Sequence, residues 1–228
     1  LVDILLYLVI GMSRTLALFV IVWAIASLGA CDREDGHLQE PRKTSPSGSF
    51  LTDPLDAGYV GSAKCAECHS GEFEKWHGSH HFHAMELPTP ATVRADFNGS
   101  TYERYGVTSR FFREDEKYLV ETENEQGAME VFEVKYTFGW EPLQQYLVEF
   151  PDGRLQVLPT CWDIEKREWY HIYPNEHIKP DDPLFWTRSM QNWDHMCADC
   201  HSTNLKKRFD PSSQTFSTTY NEINVSCE

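Results

Sequence analysis

"CAECHSGEFEKWHGSHHFHAM", residues 65–85, places two cysteines and five histidines within 21 residues. Cys65 and Cys68 are separated by two residues and followed at once by His69. The same pattern returns far along the chain as Cys197-Ala198-Asp199-Cys200-His201. Such a spacing has few chemical uses. Two C-x-x-C pairs can build a zinc site with four thiolate ligands, but the pairs then usually lie about 15–20 residues apart. A thioredoxin-like redox pair explains neither the repetition nor the histidines. Simple disulfides suit an exported chain yet leave both histidines without a role.

The reading that uses every residue of the pattern is covalent attachment of c-type haem. Thiols two residues apart can reach the two vinyl groups on one porphyrin edge and form thioethers. The next residue then lies under the ring, where an imidazole can ligate iron. Haem c is therefore expected at two sites at least, on Cys65 and Cys68 with His69, and on Cys197 and Cys200 with His201. Ile223-Asn224-Val225-Ser226-Cys227-Glu228 reads as the opening of a third motif, cut off after Cys227. A plain thiol at Cys227, or a pair between Cys227 and Cys161, is the alternative. Cys161 itself reads as a small buried residue.

With 228 residues, 41% hydrophobic and 13% aromatic, the chain can bury a substantial core in one or two domains. Its formal charge of −15 makes it a poor binder of phosphate backbones, so nucleic acid is not an expected partner.

Residues 1–31 read as an export signal whose natural start is Met12. Arg14 supplies the basic beginning, an apolar run follows, and small residues precede Cys31. The apolar run falls short of the ~20 residues that a spanning helix needs, which weighs against a simple membrane anchor. Leu28-Gly29-Ala30-Cys31 resembles the lipobox of bacterial lipoproteins, which implies acylation at Cys31. Asp32, directly after it, favours the inner membrane. Residues 32–58 are polar and rich in Pro, Ser and Gly, and read as a flexible tether reaching roughly 30 Å.

From Tyr59 onward the composition is that of a folded domain. Ser70 to Trp76 fits a short helix. Lys117-Tyr118-Leu119-Val120 and the alternating Phe132, Val134, Tyr136, Phe138 flank a polar turn at 123–127, which predicts a β-hairpin. Residues 146–150 and 155–158 surround Pro151-Asp152-Gly153 and predict a second one. Asp182-Pro183 reads as the N-cap and first turn of a helix running toward Trp193. The expected fold class is α+β: helical and loop segments organised by haem and bearing the C-x-x-C-H motifs, with an antiparallel β-hairpin insert between them.

Residues 59–69 with Trp76-His77-Gly78-Ser79-His80-His81 resemble the first haem segment of multihaem c-type cytochromes. That group includes the tetrahaem cytochrome c of ammonia oxidisers and larger bacterial proteins that continue into tetratricopeptide repeats. Tyr136-Thr137-Phe138-Gly139, residues 141–147, residues 169–174 and the run from Gln191 to Leu205 carry the same resemblance. It implies a multihaem domain over residues 59–228, with further haems beyond a chain that is an N-terminal portion.

The resemblance also implies bis-imidazole iron, which needs a distal histidine for each haem. His81, in W-x-x-S-x-H, matches the family's distal ligand best, with His80 next and His171 a further candidate. His77, His83, His177 and His195 read as ordinary surface or core histidines. The function implied is electron transfer with redox partner proteins, on the periplasmic face of a membrane held through the lipid anchor. The competing reading is an oxidoreductase acting on nitrite or hydroxylamine at a haem with one open position.

Overall fold

Between Ser100 and His171 the chain is mostly strand. The computed structural model describes residues 58–228; the expected signal, Cys31 and nearly all of the tether lie outside the described residues. Nine strands form one antiparallel sheet: β1 (Met85–Glu86), β2 (Ser100–Arg104), β3 (Val107–Glu114), β4 (Lys117–Glu123), β5 (Met129–Phe138), β6 (Leu143–Glu149), β7 (Leu155–Val157), β8 (Thr160–Asp163) and β9 (Glu168–His171). The order is β2-β3-β4-β5-β6-β8-β9, with β1 added to β5 and β7 to β6. The sheet curls until its two ends meet through side chains: Trp169 Nε1 on β9 donates to Ser100 Oγ on β2 at 2.9 Å.

This nearly closed antiparallel barrel overturns the expected α+β fold. Both predicted hairpins exist, β4–β5 and β6–β7, but they belong to the main body rather than to an insert between helical segments. The described helices are short, Ser62–Ala66, Ser70–His77, Trp193–Met196 and Ala198–His201. The predicted helix from Asp182 is instead a chain of turns. Asp182 Oδ1 accepts from Leu184 N, and Phe185 N returns to the Asp182 carbonyl. Phe185, Trp186 and Thr187 are all buried, and a helix would carry three successive side chains through about 200°. Gln156 Nε2 also takes the carbonyls of Trp186 and Arg188, which a helix would use internally.

Two clusters of buried apolar side chains lie on opposite faces of the same strands. Tyr146 and Val148 of β6 point into the barrel among Phe97, Phe111 and Trp169, whereas Leu147 points outward to Met85, Leu155 and Trp193. A register shift in β5 between Val134 and Tyr136 shapes the outer cluster. Before it, Phe132 and Val134 face the barrel core; after it, Tyr136 and Phe138 pack outside. Alternation alone would have put all four on one face. The bulge thus supplies an aromatic outer wall.

Left-handed backbone recurs in the turns of the sheet, and two of them show its use. Tyr105 and Gly106 (φ 49° and 83°) form the two-residue β2–β3 link, and Gly153 (φ 84°) closes the β6–β7 hairpin.

Candidate haem-attachment sites

Both C-x-x-C-H segments fold into the same local shape. In the first, the backbone N–H groups of Cys68 and His69 return to the Cys65 carbonyl at 3.3 and 2.9 Å. In the second, those of Cys200 and His201 return to the Cys197 carbonyl at 3.1 and 3.2 Å. One helical turn therefore carries both thiols and delivers the histidine directly after. Cys65 and Cys197 are half-buried, Cys68 and Cys200 are exposed, and all four are free thiols. Burial raises the pKa of the Cys197 thiol, and the nearby Cys200 adds to this.

The second segment is anchored to the outer wall of the barrel. Asn192 caps the helix Trp193–Met196 by accepting from His195 N. Trp193 is fully buried, and Asp194 accepts from Leu155 N of β7 at 2.8 Å. His201 lies against Phe138, ring centroids 4.4 Å apart. Its Nδ1 is buried without a hydrogen-bond partner, and the Ala84 carbonyl near the ring favours its protonated form. Burial is the stronger influence and lowers the pKa of this imidazole.

Ala84 belongs to the histidine-rich stretch after the first motif, so that stretch lies beside the second motif. Its carbonyl also accepts from Gly139 N at 3.0 Å, next to β1 pairing with the end of β5. The His80 and His81 side chains are exposed, while the His81 carbonyl accepts from Val225 N. His83 is held on two sides: Nδ1 pairs with Glu86 at 2.9 Å and the ring stacks on Trp140 at 4.1 Å. Sequence spacing carried no signal for that pair except the H-x-x-E interval itself.

Residues 222–228 clasp the first motif. Glu222 accepts from the Tyr59 and Ser62 hydroxyls, and Glu228 accepts from Val60 N and Gly61 N at 3.0 Å each. Trp76 Nε1 donates to the Val225 carbonyl. Burial by itself would raise the pKa of the Glu222 carboxyl, but the hydroxyls of Ser226, Ser62 and Tyr59 together hold it below its usual value. Cys227 is exposed and touches the Cys65 thiol; slight desolvation, then Cys65, raise its pKa. Cys161 is elsewhere, buried in β8 beside Tyr170, with its pKa pushed up to about 12 mainly by burial.

His171 is set apart from the motifs. It lines a cavity at the mouth of the barrel with Arg104, His177 and Trp186, and no motif cysteine is among the lining residues. Its Nδ1 accepts from Tyr173 N at 3.0 Å. Burial, then the Arg104 charge, lower its pKa to about 4. Among the described residues no three His, Cys, Asp or Glu side chains converge on a metal-sized site, so the two C-x-x-C pairs do not form a four-cysteine cluster.

Residues 64–110 match the family model for cytochrome c554 and c-prime. No curated protein and no solved structure matches the chain significantly. The family match supports a c-type cytochrome, with haem c as its cofactor. The residues present fit that group. Each motif offers two free thiols and an imidazole on one turn, and the His201 ring lies by the Ala84 carbonyl, the kind of acceptor a ligating histidine uses for its other N–H.

Proposed function

We propose that the chain is a multihaem c-type cytochrome carrying electrons between redox partner proteins on the periplasmic face of a bacterial membrane. Cys65, Cys68 and His69 hold one haem, and Cys197, Cys200 and His201 hold a second; Cys227 opens a third attachment motif. His81 or His80 supplies a second imidazole, which closes the iron and leaves outer-sphere electron transfer as the chemistry the cofactor provides. Acylated Cys31 tethers the domain. In character it resembles the tetrahaem cytochromes of ammonia oxidisers and the repeat-bearing bacterial cytochromes.

The observation that carries this reading is the hydrogen-bond pattern shared by the two motifs, in which the second cysteine and the histidine both return to the first cysteine's carbonyl, with Ala84 of the histidine-rich stretch lying against His201. The protein's own contribution is to exclude water from one side of each site, through Trp193 and Phe138 at the second and the 222–228 clasp at the first.

The test is maturation in a periplasm with the haem-attachment machinery, followed by denaturing-gel haem stain and intact mass. Two covalent haems are expected, with one lost on replacing Cys65 and Cys68 by Ala and the other on replacing Cys197 and Cys200. A chain that carries zinc and no haem would overturn the assignment. Cys31→Ser tests the tether separately: lipid labelling should vanish, and normal processing and fractionation of that variant would remove the lipoprotein part.

A further inference from the structure

The cavity at the barrel mouth has no motif cysteine in its lining, and that lining is chemically divided. Its floor is apolar and aromatic, made by Leu158, Phe185 and Trp186, all almost fully buried. Its rim carries Arg104 and His171. We propose that this cavity binds a small carboxylate with a short apolar tail, the tail on the Leu158–Trp186 floor and the carboxylate against Arg104 and His171.

The rim is built to present donors. Arg104 Nη2 donates to the carbonyls of Tyr173 and Glu176, and the guanidinium lies 4.6 Å over the Tyr105 ring, which in turn stacks on His177 at 4.2 Å. The clamp fixes the plane of the group and, among the described residues, leaves Nη1 and Nε without a protein hydrogen bond. His171 accepts a backbone N–H at Nδ1, so the neutral ring carries its proton on Nε2. A cation and a neutral N–H can stand side by side without repulsion, and together they offer two donors to two carboxylate oxygens. Glu123 is the acidic lining residue, and its Oε1 lies toward Gly127 in the β4–β5 turn. In a chain of net charge −15, Arg104 is thus a local positive point above an apolar floor.

Size sets the class. The cavity is small, about 80 Å³. A ligand of a few heavy atoms suits it, and a bare inorganic oxyanion would leave the floor unused.

Isothermal titration of the haem-loaded full chain tests the site, with propionate as probe and propionamide as its neutral isostere. Propionate should bind at least about tenfold more tightly than propionamide, the difference expected of a charge-assisted contact. Arg104→Gln should remove that preference and leave propionamide unchanged. Because Arg104 also clamps two carbonyls, Val107→Trp provides a second variant that fills the cavity from its rim and should abolish binding of both compounds. Equal affinity for the two compounds, no propionate binding at millimolar concentration, or unaltered propionate binding in Val107→Trp would overturn the proposal. Haem staining of each variant reports separately on the cytochrome assignment, so the two can fail independently.

Discussion

The Trp169 indole lies flat on the Phe111 ring, centroids 3.6 Å apart and planes 11° from parallel, while its Nε1 reaches Ser100. One side chain on the last strand of the barrel therefore touches both the first strand and its neighbour. Among the described residues no backbone ladder joins β9 to β2, so side chains make the seam: Trp169 from β9, and Arg104 of β2 bonded to the Tyr173 carbonyl just past β9.

Trp169→Ala should destabilise the domain by about 3–5 kcal/mol, as expected for deleting a large buried aromatic side chain. Trp169→Phe keeps the stack and loses the hydrogen bond, and should cost about 1 kcal/mol beyond its smaller area. Denaturant midpoints read both. Equal losses would mean that the hydrogen bond, not the ring, closes the barrel.

Gly153→Ala should cost about 1–3 kcal/mol from left-handed backbone strain. The added Cβ would also run into the Phe216 carbonyl oxygen, whose own N–H is already bonded to Asp152. Thermal unfolding measures the loss; a neutral substitution would show that the 209–216 loop yields easily.

Acid should loosen the clasp on the first motif. The folded pKa of Glu222 lies below its unfolded value, so the unfolded chain binds more protons as pH falls. The stabilisation is fully present above the ordinary Glu value of about 4.3 and declines as pH drops through the folded one. Glu222→Gln should flatten this part of the stability–pH curve. An unchanged acid slope in that variant would assign the effect to other carboxylates.

His81→Ala should turn one haem from low-spin to partly high-spin while covalent attachment persists, since the thioethers do not depend on the distal side. His80→Ala and His83→Ala are the comparisons, because His83 alone of the three already has a carboxylate partner at Nδ1. Ferric EPR spectra decide which imidazole serves. No change in any of the three would place the second ligand outside this stretch.

Turn chemistry and thiol spacing were legible from residues alone. Pro151-Asp152-Gly153 and the polar 123–127 turn mark the two hairpins that exist, and both C-x-x-C-H segments fold alike. The barrel was not legible. β8 and β9 are four residues each, too short for periodicity to show, and Tyr105-Gly106 is a two-residue hairpin turn without the usual Asn or Asp. The β5 bulge hides behind perfect alternation, because a one-residue slip reverses a face without changing the pattern of letters. The contact of Cys227 with Cys65 depends on Glu222 and Glu228, partners that no local window contains.

That clasp bears on the order of events in a growing chain. Tyr59 and Glu222 are 163 residues apart, and closing so long a loop is entropically among the last contacts to be made. In a chain made from its N-terminus, Cys65, Cys68 and His69 are present long before residues 222–228. Glu222 and Glu228 can hold Tyr59, Gly61 and Ser62 only once residues 222–228 arrive, so the surroundings of the first motif are completed late, while Cys68 and His69 stay at the surface of the finished fold.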